Sequence, residues 1–573
     1  MFNLDEILPS HFDNSFTGKI KKSILRKLVR EKDFHEFSAK YPHLRGIECV
    51  EQILDYFDVS SQYVADDLEN IPVEGPIIIV SNHPIGSLDG LLLLKLISKV
   101  RPDIKVVANQ FLSYLKPISS LFIGVDNINQ STQRKQIEAM HQQLKNKGCL
   151  LIFPSGEVSR VKPKGVRDPR WQTGFIKLAI KYRAPIIPIH VQAKNSFLFY
   201  TVSWLYRPLS TLMLVREMFK QRGKTITVKI GQMIPLENFT DQGMPLSDLA
   251  RRFRKHVYRL ASGRALLFAT RSPIAAPEER KMLKKHIEAQ QSLGKTPDGK
   301  SIYLYRREDE SNSILLRELG RLREIAFRAV GEGTGLRRDV DIYDDYYYQL
   351  MLWDPEELEI VGAYRLIPTN EIVKQKGIES LYTHSLFIYN TQMNEYFEKG
   401  VELGRSFIQP KYWGLRGLDY LWQGIGAFLA AYPEHKYLLG PVTISGAMPT
   451  KAKDLLVAFY RLYFQHTIEL AKSRAPYPES QPEILSYFSG DDYTNDFVTL
   501  KSLLANMNCS VPTLYKQYTE LCESGGAKFL DFGIDASFCD SIDGLVLIDL
   551  DKIKPQKFQR YISIHLSHNP SIN

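Results

Sequence analysis

His83 and Asp89 share one short stretch, "SNHPIGSLDG", between the apolar run "IIIVS" and a leucine-rich run. An imidazole beside a carboxylate is the working part of a general base. The carboxylate orients the ring, and the ring removes a proton from a hydroxyl that is a poor nucleophile at neutral pH. The same residues suit a helix start, with Ser87 as N-cap and Asp89 in the first turn, where negative charge complements the helix dipole. On this loop alone both readings stand.

Three later stretches bear on the choice. "FIGVD" (122–126), "LIFPSGEVSR" (151–160) and "APIIPIHV" (184–191) each follow or form an apolar strand candidate. The second sets Phe153, Pro154, Ser155, Gly156, Glu157 and Arg160 at a strand end. In α/β sheets ligands bind at the carboxyl ends of strands, so these loops are placed to converge with that of His83. In this order, Asn82-His83…Asp89, Phe-Ile-Gly, Phe-Pro-x-Gly and Pro-Ile-Ile-Pro resemble the glycerolipid acyltransferases of the lysophosphatidic-acid type, over about residues 60–240. The resemblance implies that His83 is the general base, that Asp89 orients it, and that Asn82, Phe153, Pro154, Ser155, Gly156, Glu157 and Arg160 bind the acyl acceptor. An acyl thioester then needs donors for its oxyanion, but no covalent serine, and no Gly-x-Ser-x-Gly elbow is present. Two departures stand out. Five residues, Pro84 to Leu88, separate histidine and aspartate where the family has four. Ser155 stands where the family has glutamate, which points to an acceptor other than a lysophosphatidic acid.

A second set of candidates lies in "RLREIAFRAVGEGTG", "DVDIYDDYYYQLMLWD", "IVGAYRL" and "EKGVELGRSFIQPKYW". Glu402 and Arg405, three apart, read as neighbours on a helix beginning near Gln392, and Arg365 as the end of a strand. Phe327-Arg328, Asp339-x-Asp341, Arg365-Leu366 and Glu402-x-x-Arg405-Ser-Phe resemble, in order, the N-acyltransferases that form lyso-ornithine lipid, which share the acetyltransferase-like fold of the autoinducer synthases. This resemblance spans about residues 285–555. It implies acyl transfer from acyl carrier protein to an amine, with Glu402 positioning or deprotonating the amine and Arg328, Asp339, Asp341, Arg365 and Arg405 binding substrate. A guanidinium fork suits a carboxylate.

Composition is compatible with both. The chain has 573 residues, 44 % hydrophobic and 24 % charged, which is globular and long enough for several domains. Residues 1–270 hold 39 Lys and Arg against 24 Asp and Glu, a net of +15; the remainder holds 35 against 40, a net of −5. Much of the excess lies in "RVKPKGVRDPRW" (160–171) and "RRFRKHVYR" (251–259), read as patches for anionic lipid or an acidic carrier protein. No nucleic-acid motif accompanies them, so nucleic acid is not an expected partner. Five scattered cysteines without metal-ligand spacing read as free thiols, and neither metal nor cofactor is expected beyond the carrier-protein thioester as co-substrate. The opening "MFNLDEILPSHFDNSF" has no secretion-signal pattern. The longest near-apolar stretch, "FLFYTVSWLYRPLSTLMLV" (197–215), is broken by Arg207 and Pro208. It reads either as a core helix or as a hairpin in the membrane interface.

Strand patterns at 77–81, 105–108, 121–125, 149–153, 185–191 and 225–230 alternate with helical ones at 88–98, 131–146 and 172–182. This predicts an α/β layer with parallel strands. The expected organisation is a basic, membrane-associated helical region (1–70), an O-acyltransferase domain (71–270), a linker (271–299) ending in the turn Pro297-Asp298-Gly299, and an acetyltransferase-like α/β N-acyltransferase domain (300–573). Together the halves resemble the bifunctional ornithine-lipid synthases. That implies N-acylation of ornithine with a 3-hydroxyacyl chain, then O-acylation of the new hydroxyl, at the cytoplasmic face of the inner membrane. A glycine lipid or a lysophospholipid is the alternative product, and a lipid-binding or membrane-lytic protein the alternative class.

Overall fold

The computed structural model describes residues 30–109, 116–125, 130–162, 165–205, 207–240, 243–307 and 313–566. The chain divides into two units, Met1–Ala275 and Ala276–Asn573.

The first unit opens with helices α1 (Glu31–Lys40) and α2 (Gly46–Tyr56), followed by strands β1 (Ser60–Gln62) and β2 (Ile77–Ser81), helix α3 (Ser87–Ser98), and strands β3 (Lys105–Asn109) and β4 (Phe122–Val125). Helix α4 (Gln130–Lys145), strand β5 (Cys149–Ile152), the short hairpin of β6 (Arg160–Lys162) and β7 (Gly165–Arg167), helix α5 (Gly174–Tyr182) and strand β8 (Ile186–Gln192) come next. Helices α6 (Phe197–Leu205) and α7 (Arg207–Lys220), strand β9 (Thr225–Ile230) and helix α8 (Leu246–Ser262) complete it. The main sheet runs β1-β9-β8-β2-β5-β3-β4 and is parallel except between β8 and β9. All six strands expected from the sequence are present.

A central parallel strand is covered on both faces and so reads as a continuous apolar run. In β2, Ile77 and Ile79 face a core shared with α1, α2 and α3, while Ile78 and Val80 face one built with Phe175 of α5 and Phe253 of α8. The region expected as a separate helical piece is, from residue 31, part of this unit, because Phe37, Cys49, Val50 and Leu54 are buried in the first of these cores. Its earlier residues lie outside the described ones. Stretch 197–215 contains α6 and the first part of α7; Tyr206 is outside the described residues. Phe199, Tyr200 and Met213 pack with Val158, while Phe197 and Leu198 are exposed. Among the described residues no helix is long and apolar enough to cross a membrane.

The second unit begins inside the stretch expected as a linker. Helix α9 (Arg280–Ile287) buries Leu283 and Ile287, and strand β10 (Gln291–Lys295) pairs with β11 (Ser301–Arg306). The prolines and charges around 271–299 concealed those few apolar anchors. Helix α10 (Ile314–Ala329), strands β12 (Tyr348–Asp354), β13 (Glu359–Pro368) and β14 (Phe387–Tyr389), then β15 (Gly400–Ile408) follow. Helix α11 (Gly417–Ala431), strand β16 (Tyr437–Ile444), helix α12 (Thr450–Phe464), strand β17 (Ala471–Ser473) and the pair β18 (Ala527–Asp535) and β19 (Ser541–Asp549) close it. The eight-stranded sheet runs β10-β11-β12-β13-β15-β16-β19-β18, with α11 and α12 against one face and α10 against the other.

Only β15 and β16 are parallel neighbours, over Gly400–Glu402 and Tyr437–Leu439. Beyond that point the two strands no longer pair with each other, each staying paired to its outer neighbour, β13 or β19, so the sheet splays open in its middle. At the fork Gly440 lies against the Leu403 carbonyl: a Cβ added there would stand 2.1 Å from that oxygen. Gly440→Ala should therefore force the strands apart and cost about 1–3 kcal/mol. The check is thermal unfolding of the full chain: the midpoint of the second unit's transition should fall, and an unchanged profile would contradict the close approach.

Candidate functional site

In the first unit β2 ends at Ser81, and the chain turns through His83 into α3. His83 Nδ1 lies 3.0 Å from Asp89 Oδ1. Asp89 is fully buried, and its carboxylate also accepts the backbone N–H groups of Ile85 (3.1 Å), Gly86 (3.3 Å) and Gly90 (2.9 Å). The helix cap is Gly86, not the expected Ser87, which is the first helical residue. Gly86 has φ +94°, a conformation that costs glycine little. That turn absorbs the extra residue between histidine and aspartate, so the dyad forms despite the longer spacing. With the Asp89 carboxylate 3.0 Å from Nδ1, the proton is favoured on that nitrogen and Nε2 is left basic. Burial disfavours the charged ring, but Asp89, and beyond it Asp168, raise its pKa above the ordinary 6.5.

The loop after β5, the parallel neighbour of β2, comes beside this histidine. The Phe153 ring packs on the imidazole at 4.2 Å between centroids, and the Ser159 N–H donates to the His83 carbonyl at 2.7 Å. Gly156, at φ +66°, turns the loop. The Pro154 carbonyl accepts from the Gln172 N–H, and the Ser155 hydroxyl donates to the Glu157 carbonyl at 2.7 Å. Arg160 reaches Glu157 at 3.2 Å and donates to the Ser203 hydroxyl on α6. Asn82, expected to bind substrate, brackets the β8 backbone: its Nδ2 donates to the Val191 carbonyl and its Oδ1 accepts the Val191 N–H, both at 2.8 Å. It fixes the root of the His83 loop.

In the second unit the expected helix around Glu402 and Arg405 is strand β15. Side chains three apart on a strand point to opposite faces. Here a bulge intervenes: β13 and β15 slip register between Ala363–Phe407 and Arg365–Gly404, and Arg405 has φ +48°. Val401 and Leu403 pack into the α11–α12 core, whereas Phe407 packs with α10. The extra residue thus returns Arg405 to the face of Glu402.

On that face three arginines and three aspartates interlock. Arg323 of α10 donates to both oxygens of Asp344, at 2.9 and 3.0 Å. Arg365 contacts Asp341 and lies 3.4 Å from Asp344. Arg405 lies 3.3 Å from Asp341 and 3.5 Å from Asp339. Burial opposes charge on Asp344, but Arg323 and Arg365 hold its carboxyl well below the usual range. The rings of Tyr343, Tyr347 and Tyr382 stand around the Arg365 guanidinium at 5.1–5.5 Å. Glu402 is buried. It accepts the Thr383 N–H (2.6 Å), the Tyr382 N–H (3.2 Å) and the Tyr347 hydroxyl, and burial raises its pKa.

This arrangement gives four of the expected binding residues internal partners. Arg365, 1 % exposed, is an internal counter-charge and not a free carboxylate fork; Arg405 is the more open of the two. Arg328 donates to Glu324 and the Leu336 carbonyl and so holds the loop after α10. Asp339 and Asp341 hold arginines. On the other arm of the splay the Thr443 hydroxyl donates to Asp543 at 2.9 Å, and burial pushes Asp543, like Glu332, up to about 7. Sequence reasoning missed Asp168, Arg323, Asp344, Tyr347, Tyr382, Glu332 and Asp543. Only the "DIYDDYYYQ" run, acids alternating with aromatics, hinted at part of this set.

Both halves of the chain are similar to known proteins. The family described as acyltransferase matches residues 10–264, and the acetyltransferase (GNAT) domain family matches residues 322–423. A glycine N(alpha)-acyltransferase of Bacteroides thetaiotaomicron is 32 % identical over 312 residues, 52 % of this chain and 91 % of that protein. A lyso-glycine lipid O-acyltransferase of the same organism is 27 % identical over 45 % of this chain and 97 % of its own. An L-ornithine N(alpha)-acyltransferase of Brucella abortus is 25 % identical over 42 % of this chain and 83 % of its own. The chain is an acyltransferase of mixed α/β fold with acyltransferase-like and GNAT-like parts.

A raised histidine pKa makes a testable statement. Diethyl pyrocarbonate modifies only the neutral imidazole, so modification at His83, followed by peptide mass spectrometry, should reach half its limiting rate above pH 6.5. Asp89→Asn should bring that midpoint down. A parental midpoint at or below 6.5, or no change in the variant, would contradict the pairing.

Proposed function

The chain belongs to the family of the glycine N(alpha)-acyltransferases, and from that premise we propose that it makes an N,O-diacylated amino-acid lipid. The second unit moves a 3-hydroxyacyl chain from a carrier-protein thioester onto an α-amino group. The first unit then esterifies the 3-hydroxyl. The observation that supports this reading is the presence, in one chain, of two different candidate sites: a His–Asp dyad at the end of a parallel strand, and a splayed sheet lined by Arg405, Tyr382 and buried acids.

In the first unit His83 Nε2 takes the hydroxyl proton as the oxygen attacks the thioester carbonyl. The C–O bond forms, the C–S bond breaks, and the proton passes to the leaving thiolate. Asp89 keeps the ring in the right tautomer. The exposed Phe197 and Leu198 and the net charge of +15 over residues 1–270 suit work at an anionic membrane surface.

In the second unit an ammonium must lose a proton before it attacks. A base works best with a pKa near the operating pH, and Asp543, at about 7, meets that condition. Glu402 has its oxygens engaged by Tyr347 and by the backbone of Tyr382 and Thr383, and so holds Tyr382 against Arg405, 3.3 Å away. Neither Asp543 nor Glu332 forms an ion pair among the described residues. Glu332 is therefore available to a second ammonium, which ornithine carries and glycine lacks. On this ground we take ornithine as the acceptor. Glycine is the second reading, favoured by the higher identity to the glycine enzyme, 32 % against 25 %.

Mass spectrometry of lipids from a host that makes no amino-acid lipid tests the scheme. The parent should yield a diacylated ornithine lipid. His83→Ala should lower it on the order of 10²–10⁴-fold while the monoacyl lipid accumulates, and Asp543→Asn should remove both. A glycine headgroup would select the second reading. Loss of both species in a folded His83→Ala chain would overturn the division of labour.

A further inference from the structure

The stretch 160–171, read from the sequence as a basic patch, contains one acid, Asp168, whose side chain is completely buried. Its Oδ1 accepts the His83 backbone N–H (3.2 Å) and the Ser159 hydroxyl (2.5 Å), and its Oδ2 accepts the Trp171 indole N–H (2.8 Å). Its own N–H donates to the Tyr258 hydroxyl at 2.8 Å, and its carbonyl accepts from Arg254 at 3.2 Å. Tyr258 and Arg254 lie on α8, in the second basic patch. Ser159 in turn donates its N–H to the His83 carbonyl at 2.7 Å. Both peptide units flanking the His83 Cα are therefore held by a single buried construction rooted in α8.

Keeping a carboxylate there is costly, since a buried charge without an ion pair loses several kcal/mol of solvation. An uncharged acceptor would serve the same N–H and O–H donors. The difference is felt by the imidazole, which becomes positive while it holds the substrate proton. The charged and titratable groups facing the ring are Asp89 on α3 and Asp168. Those around Asp168 are Tyr258 and Arg254 on α8, with Arg167 stacked over the Tyr258 ring.

We propose that Asp168 is the second carboxylate of the His83 site, a positioning residue that fixes the backbone carrying the imidazole and stabilises the positive charge the ring gains as it takes the hydroxyl proton. This rests on the O-acyl-transfer reading of the first unit. Asp89 acts on the ring through Nδ1; Asp168 acts through the main chain and through space, from 85 residues away.

The test uses the full chain, with O-acylation of purified monoacyl lipid as one readout, N-acylation by the same preparation as the folding control, and carbethoxylation of His83 as a readout that needs no substrate. Asp168→Asn should leave the KM for lipid unchanged and lower kcat on the order of a hundred-fold. It should also move the acidic limb of the pH profile and the carbethoxylation midpoint to lower pH, because removing a negative charge weakens the imidazolium. Tyr258→Phe keeps the carboxylate but removes the hydroxyl beneath it, and should lower kcat while leaving the limb in place. Parental kcat and limb in Asp168→Asn would overturn the proposal, as would a fall in kcat with limb and midpoint both unmoved, which marks a merely structural residue. If Asp168→Asn does not fold, full kcat in Tyr258→Phe overturns it. A parent with no O-acyl transfer defeats the functional reading instead, and the carbethoxylation midpoints still decide whether Asp168 acts on His83.

Discussion

A charge removed from water must find a counter-charge or hydrogen bonds, and both sites of this chain are built around that constraint. Asp89 is enclosed by three backbone N–H groups and the His83 ring. Arg323, Arg365 and Arg405 are matched against Asp344, Asp341 and Asp339. Breaking one partner in either set leaves the other buried and alone, which is far more damaging than losing a surface pair. The elements around each site are therefore fixed by its charges as much as by its apolar core.

The two units solve the same chemical problem by different means. On the proposed function each must remove a proton from a nucleophile and hold a thioester carbonyl while negative charge develops. The first does so with a histidine at the carboxyl end of a parallel strand, where an open α/β sheet presents its loops. The second opens a sheet from within. The bulge at Arg405 turns that side chain onto the Glu402 face, and the fork at Gly440 separates the two strand edges. The interlocked arginines and aspartates then stiffen one arm; Asp543 lies on the other, and Glu332 reaches Ser445 beyond the end of β16 from the loop after α10.

What the sequence disclosed follows from how local each signal is. His83 and Asp89 were legible because one loop carries both, and the parallel strands because runs such as "IIIVS" and "CLLI" are apolar throughout. Glu402 and Arg405 were legible as residues but not as geometry, since a bulge exists only in relation to the neighbouring strand, and spacing alone favoured a helix. Asp168 was hidden inside a stretch whose net charge is positive; its meaning appears only when β6, β7 and α8 bring it under a histidine far upstream. The basic patch 251–259 was likewise read by charge, although Arg254 and Tyr258 face inward.

The central claim is that one chain carries out two acyl transfers in a fixed order, on nitrogen and then on oxygen. The most direct measurement is a time course with the purified full chain, labelled ornithine and carrier-protein acyl thioester. The account predicts that labelled monoacyl lipid rises first and then falls as diacyl lipid accumulates. Diacyl lipid formed with no monoacyl precursor, or monoacyl lipid that never converts while thioester remains, would contradict it.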